Sequence, residues 1–319
     1  MREDDDWILF GMYGEPLRLR NVNNHALWQE IHTPYYIDQE TEATTGIKTQ
    51  YAELAINDEY LGIYALGEQV DRKQLKLKKF TTNIRGELYK GIGWGNSTFL
   101  EIFAYDNLDR VWGGFEMKYP KDDEITDWEN LYNLVDFVIN STNESFEENI
   151  SSRFVLNNAI DYFIFINTIR AADNMGRNLY VAKYKEDEPY FYVPWDFDWS
   201  FGMWDFEQQN ITNDIMSNGL YDRLLSANSS LFREALVARW FELRNTSTLE
   251  TTSFITSINE RYTMLLANGN YEREILKWGT ETIDLDNLNY TTTWIQERFT
   301  FLDAYFGNLL KIDNLIQSD

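Results

Sequence analysis

The stretch that decides the reading runs Asp173-Asn-Met-Gly-Arg-Asn178, a β-prone run at 179–184, the polar Lys185-Glu-Asp-Glu-Pro189, a second β-prone run at 190–193, and Pro194-Trp-Asp-Phe-Asp-Trp-Ser-Phe-Gly202. Two such runs either side of a polar turn predict a hairpin flanked at both ends by carboxylates and amides. Upstream, the apolar residues 154–172 read as a buried helix that hands the chain directly to Asp173. Further out, residues 128–140 place Trp128, Leu131, Leu134, Val135 and Val138 at helical spacing behind Asp127, a fair N-cap. Before Pro120 the character changes: 53–56 and 61–66 bracket Asn57-Asp-Glu-Tyr60 as a hairpin, and 86–90 and 115–119 also read as strands. Beyond Asp222 the chain reads as helical, chiefly at 224–243, 252–267 and 291–310. The expectation is an α+β fold. A strand-rich N-terminal lobe at 1–120 precedes a mostly helical C-terminal lobe at 121–319, with a ligand cleft between them.

Composition narrows what that cleft can do. The 319 residues are 44% hydrophobic, enough for a packed core, and 52 acidic against 28 basic residues leave a net charge of −24. That balance argues against nucleic acid or anionic membrane as a partner, since both need a basic face. An aromatic content of 16% argues against acidic disorder. The most apolar windows are broken by Asp161 and Asn167 short of the roughly 20 residues a membrane span needs. With no cysteine, disulfides, thiolate metal sites and a cysteine nucleophile are excluded. His25 and His32 stand alone, so each is expected to be a packing or surface residue rather than part of a serine triad or zinc site. The opening Met-Arg-Glu-Asp-Asp-Asp has no apolar core, so no signal peptide is expected, and eight Asn-x-Ser/Thr triplets in so Asn-rich a chain say little about compartment.

The flanks of the central hairpin carry the chemistry. Asp173, then Asn178, then a hairpin, then Asp196-Phe197 is the order of parts in a protein-kinase catalytic site. There the first Asp accepts the substrate hydroxyl proton, while the Asn and the second Asp hold metal on the ATP phosphates. Phosphoryl transfer needs hard oxygen ligands for the cation that neutralises crowded phosphate charge. Taken singly, Asp173 could cap a turn, Asn178 could start a strand, and Asp196 and Asp198 could lie on a solvated edge. Together, two acids in an aromatic run are costly unless engaged. Spacing alone does not separate metal-assisted phosphoryl transfer from hydrolysis by paired carboxylates.

The same residues, with Tyr60-Leu-Gly-Ile-Tyr-Ala-Leu-Gly-Glu-Gln-Val-Asp71, Gly86-Glu-Leu-Tyr-Lys90, Trp7-Ile-Leu-Phe, Leu17-Arg-Leu-Arg-Asn21 and Trp294-Ile-Gln-Glu-Arg-Phe-Thr-Phe-Leu-Asp303, resemble the spore coat protein H (CotH) kinase family over nearly the whole chain. The run at 194–202 is the most specific part. The resemblance implies an atypical two-lobed protein-kinase-like fold that uses ATP and a divalent metal, Mg²⁺ or Mn²⁺, to phosphorylate Ser or Thr of protein substrates. It implies Asp173 as the catalytic Asp and Asp196 as a metal ligand, with Asn178 and Asp198 beside it. It also suggests a spore-coat, cell-surface or secreted setting. Longer relatives carry an Arg-Gly-Asn-Ser-type motif and paired lysines ahead of the segment matching Trp7, so the N-terminal lobe is expected to be shortened at its start.

Three further residues are candidates for nucleotide contact. Lys90, ending a strand, could reach the phosphates as a point charge, with Glu68 as its ion-pair partner; otherwise it is an exposed strand-end lysine. Arg177 could contact phosphate or substrate, or pair with a nearby acid. Arg72-Lys-Gln-Leu-Lys-Leu-Lys-Lys79 reverses the local sign of charge, either as a solvated face beside acids or as a phosphate or acidic-substrate contact. Gly91-Ile-Gly-Trp-Gly95 lacks phosphate-loop spacing and reads as a loop lying over a ligand. Two other functions stay open: an inactive kinase-like surface or adhesion module, and a carbohydrate-acting hydrolase. Against the latter, Asp196 and Asp198 on one strand would point the same way and crowd, whereas glycosidase carboxyls stand about 5 to 9.5 Å apart. Acidity beyond what a metal site uses points to a basic protein substrate or to solubility.

Overall fold

The structure, a computed structural model, describes residues 6–205, 207–228, 231–279 and 283–311. Strands β1 (Trp7–Gly11), β2 (Thr49–Ile56) and β3 (Glu59–Glu68) form an antiparallel sheet in the order β1-β3-β2. The hairpin expected around residues 57–60 is present and longer on both sides. It turns at Asn57 and Asp58, whose φ angles of 51° and 65° are the left-handed pair that a two-residue hairpin needs to match strand twist. Between β1 and β2 lies α1 (Arg20–Ile31), most of whose residues are buried, including Arg20, Asn21, Asn23, Asn24 and His25. Glu15 starts this helix by accepting the backbone N–H groups of Leu19 and Arg20, the latter at 2.6 Å.

A second, five-stranded sheet takes strands from both sides of residue 120. Strands β4 (Glu87–Ile92), β5 (Val111–Trp112), β6 (Phe115–Tyr119), β7 (Arg177–Lys183) and β8 (Tyr190–Pro194) lie in the order β5-β6-β4-β7-β8. Helices α2 (Glu129–Asn140), α3 (Asn143–Asn149) and α4 (Leu156–Ile169) fall between β6 and β7. One face of the sheet is apolar and covered: Tyr89 packs on Trp128 at 5.5 Å and Tyr192 on Tyr162 of α4 at 4.5 Å. The alternating residues Lys90 and Tyr180, paired across β4 and β7, occupy the other face. The short hairpin β9 (Met203–Trp204) and β10 (Glu207–Gln208) leads to helices α5 (Gly219–Ala227), α6 (Phe232–Arg244), α7 (Thr251–Ala267), α8 (Asn270–Trp278) and α9 (Leu285–Leu309).

Strand and helix content is mixed, as α+β requires, and the core is continuous from β1 to α9. Element ends differ from expectation for local reasons. The helix expected at 224–243 is two helices, because Asn228 takes a left-handed φ of 50°, closes α5 and accepts the N–H of Arg233 at 2.7 Å. Helix α9 begins before residue 291, where Asp284 caps it by accepting the N–H of Asn287 at 2.9 Å. Asp127 acts one position before the cap, accepting from Glu129 at 3.0 Å. The helix expected at 154–172 stops at Arg170, left-handed at 52°, and the chain continues as a single 3₁₀ turn, Ala172–Met175. The N-terminal sheet is fastened to the helices by a buried pair: Arg18 donates to Glu274 of α8 at 3.0 Å, and Glu274 also accepts the N–H of Ile63 in β3 at 2.6 Å. Among the described residues no helix is long and apolar enough to cross a membrane.

Candidate active site

Asp173 sits on the 3₁₀ turn at the C-terminal end of α4, only 5% exposed, and its Oδ1 has no hydrogen-bond partner among the described residues. Burial raises its pKa and the charge of Asp198 adds to this, while Arg177 opposes it. The turn is locked from below by Asn174. Its Nδ2 donates to the carbonyls of Asn178 (2.5 Å) and Trp195 (2.7 Å), and its own carbonyl accepts the Tyr162 hydroxyl at 2.7 Å. One side chain therefore ties the loop before the hairpin to the strand end after it. Asn178 has a left-handed φ of 50°, its carbonyl accepts the Trp195 N–H at 3.0 Å, and its side-chain amide makes no hydrogen bond among the described residues.

Strand β8 ends at Pro194, and Asp196 lies beyond it with a φ of 56°. The expectation that Asp196 and Asp198 share a strand is therefore wrong, and strand alternation has no bearing on the hydrolase alternative. They interact nonetheless. Burial, then the neighbouring Asp198 charge, pushes Asp196 up to about 7, with Asn21 and Lys90 pulling the other way. Asp198 is raised by burial against the restraining Trp199 N–H and the Arg20 charge. Burial and mutual repulsion thus disfavour ionisation of both carboxylates at once.

The support for this turn comes from α1. Asn21 accepts the N–H of Phe197 at 2.8 Å and reaches Asp196 Oδ1 at 3.4 Å. Arg20 donates to the Ser200 carbonyl at 2.9 Å, and Asn24 donates to Ser200 Oγ at 3.0 Å. His25 is enclosed by Phe10, Trp195 and Phe197, and burial pushes it down to about 3, so it packs as a neutral ring. His32 bonds Asp161 at 2.8 Å away from the site.

Lys90 projects toward the carboxylates, with its Nζ 5.8 Å from the Trp195 ring centre and 6.0 Å from that of Tyr180. Burial and then Lys118 lower its pKa, while Glu116 and Asp196 oppose them. No ion pair joins Lys90 to Glu68 among the described residues. Glu68, buried at the end of β3, accepts the Lys48 N–H at 3.1 Å, so the expected Lys–Glu partnership is not formed. A cavity of about 230 Å³ opens on the Lys90 side of the sheet, where Leu88 and Lys118 meet Val70, Arg72, Lys73 and Lys121. Other members of the basic run are neutralised: Lys76 pairs with Glu42 and Lys78 with Glu40. A larger cavity, about 440 Å³, lies around the Glu87–Lys183 pair on the opposite face, remote from the carboxylates.

The family model for the CotH kinase protein matches residues 1–302. The chain belongs to the CotH kinase family. A search of curated proteins finds no match to it. In this CotH-family chain the structure gathers Asp173, Arg177, Asn178, Lys90, Asp196 and Asp198 around the base of one hairpin, and among the described residues forms no ion pair between Glu68 and Lys90. It adds Asn174, Asn21 and Arg20, to which sequence reading assigned no role. The available signal was the polar cluster Arg20-Asn-Val-Asn-Asn24 in a segment otherwise shaped like a helix.

Proposed function

We propose that this chain is an atypical protein kinase that binds ATP with Mg²⁺ or Mn²⁺ and transfers the γ-phosphoryl group to a Ser or Thr hydroxyl of a protein substrate. The observation that carries the reading is a buried carboxylate oxygen on Asp173 with no hydrogen-bond partner among the described residues, within electrostatic reach of the neighbouring carboxylates Asp196 and Asp198. Membership of a kinase family supports it. In this reading residues 1–120 are the nucleotide lobe and 121–319 the catalytic lobe, with the five-stranded sheet shared between them.

The donor set suits a hard cation. Asp196 and Asp198 offer carboxylate oxygens and Asn178 an amide carbonyl, the hard donors that suit Mg²⁺, which takes one or two carboxylates and completes its shell with water and substrate phosphate. When bound, the cation would neutralise phosphate charge as the γ-group leaves ADP.

The chain's own residues account for the remaining steps. Asp173 Oδ1 accepts the proton of the attacking hydroxyl as the new phosphorus–oxygen bond forms and the bond to the ADP oxygen breaks. A raised pKa makes the Asp173 carboxylate a stronger base than a free Asp, with the Arg177 charge opposing part of that rise. Lys90 supplies positive charge from the sheet, and the basic cavity beside Lys118 is the place for the remaining phosphates. Nucleotide with Mg²⁺ or Mn²⁺ is expected to raise the melting temperature, and Asp196→Asn to abolish that rise. A well-folded protein with no metal-dependent nucleotide binding would refute the proposal.

A further inference from the structure

The segment after Lys90 has no part in the steps above. Residues 91–109 contain Glu101, Asp106 and Asp109 and no Lys or Arg, and several of their large apolar side chains point outward. Ile92, Leu100 and Phe103 are exposed, and Trp94 is 53% exposed. Apolar groups of this size held in water on one short segment mark a contact surface rather than core.

The segment is also tied to itself by side-chain hydrogen bonds. Ser97 Oγ donates to the Gly93 carbonyl at 2.6 Å, Thr98 Oγ1 donates to the Gly95 carbonyl at 2.7 Å, and Asn96 accepts the Phe103 N–H at 3.1 Å. The Trp94 ring is seated on the catalytic loop itself. A methyl group at Gly176 would lie 3.0 Å from Trp94 Cε3 and 2.7 Å from Thr98 Cγ2, so glycine there is what lets the indole approach. Gly176 in turn donates its N–H to the Asp173 carbonyl at 3.3 Å, which puts the ring one turn from the proposed base. Trp94 as a whole remains half exposed, and its Nε1 makes no hydrogen bond among the described residues.

We propose that the surface formed by Ile92, Trp94, Leu100 and Phe103 docks the substrate polypeptide. Its occupant is an extended, basic segment that lays one large apolar side chain on Trp94 while its Ser or Thr reaches Asp173. Continuity with the catalytic loop fixes the location, and charge fixes the partner, because the segment carries three acids and no base within a chain of net charge −24. One turn separates the ring from Asp173, and an extended chain advances about 3.4 Å per residue, so the apolar side chain lies within roughly three residues of the acceptor. This inference rests on the phosphoryl-transfer reading for the identity of the acceptor.

The test is a binding titration of the full chain by fluorescence anisotropy, in which labelled Lys/Arg-rich peptides carry one Ser and either Leu or Ala at each position within three residues of it. Labelled-phosphate transfer from Mg·ATP is measured in parallel. Leu at one position should tighten binding about tenfold over Ala. Trp94→Ala and Leu100→Ser should each erase that preference and Trp94→Phe should retain it, with the Mg·ATP-induced rise in melting temperature the same in all. A Leu preference that survives Trp94→Ala, tighter binding of acidic than basic peptides, or Trp94-dependent binding of oligosaccharides instead of peptides would overturn the inference. Failure of the kinase reading looks different: Trp94-dependent peptide binding persists, but neither Mg·ATP binding nor phosphate transfer is found.

Discussion

Replacing Asp196 by Asn should make the metal-free protein more stable above neutral pH. Burial and Asp198 lift the Asp196 pKa from 3.8 to about 7 in the folded state. Below about pH 4 both folded and unfolded chains hold the proton, so the carboxyl has no effect on stability. Between about pH 4 and 7 the unfolded chain has lost the proton and the folded one has kept it, so stability falls as pH rises and levels off above 7. A shift of about three pH units, at 1.36 kcal/mol each, sets an upper limit of about 4 kcal/mol. Asp196 is half-buried, so solvent screening brings the expected loss to roughly 2–4 kcal/mol. An unfolding entropy near 2.1 cal/mol/K per residue gives this 319-residue chain about 0.7 kcal/mol/K. Asp196→Asn, which keeps shape and an acceptor for Asn21, should therefore melt roughly 3–6 °C higher than the parent at pH 8 in chelator, and at nearly the same temperature at pH 4. Scanning calorimetry across that range decides it. A variant less stable than the parent at pH 8, or an offset independent of pH, would refute the electrostatic reasoning.

Asn21→Ala removes the acceptor for the Phe197 N–H and the contact to Asp196. It should lower stability by about 1–3 kcal/mol and weaken Mg²⁺-dependent nucleotide binding, as read by calorimetry and titration. Glu274→Ala leaves Arg18 buried without its counter-charge, so a loss of about 3–5 kcal/mol is expected in denaturant unfolding. Lys90→Ala should raise the KM for ATP about tenfold or more, with little loss of stability, because Lys90 is half-buried and contacts rings rather than a carboxylate.

The hairpins, the strands at 86–90 and 115–119 and most of the helices were legible because each is set by alternation, turn residues or helical spacing within a short window. The candidate site was legible to the extent that Asp173, Asn178, Asp196 and Asp198 flank one hairpin. Its support was not. Asn21 and Arg20 meet the Asp196–Ser200 turn from far earlier in the chain, and no local pattern reports such a partner. Helix α1 itself blurs its period by burying Arg and Asn on the faces where apolar residues would reveal it. The sequence also could not show that Glu68 accepts a backbone N–H, that of Lys48, because a buried carboxylate at a strand end announces the need for a partner and not which partner it is. The break between α5 and α6 turned on Asn228, whose left-handed conformation is an option of the residue that its neighbours do not announce.

The central claim is that Asp173 is the base of a phosphoryl transfer, and labelled-phosphate transfer tests it most directly. With γ-labelled ATP, Mg²⁺ or Mn²⁺ and basic Ser- or Thr-containing peptides, the parent chain should label peptide. Asp173→Asn should lose that labelling by about 10²–10⁴-fold while still binding nucleotide with metal. Transfer by Asp173→Asn at the parent's rate, or no transfer by a parent chain that binds Mg·ATP, would contradict it.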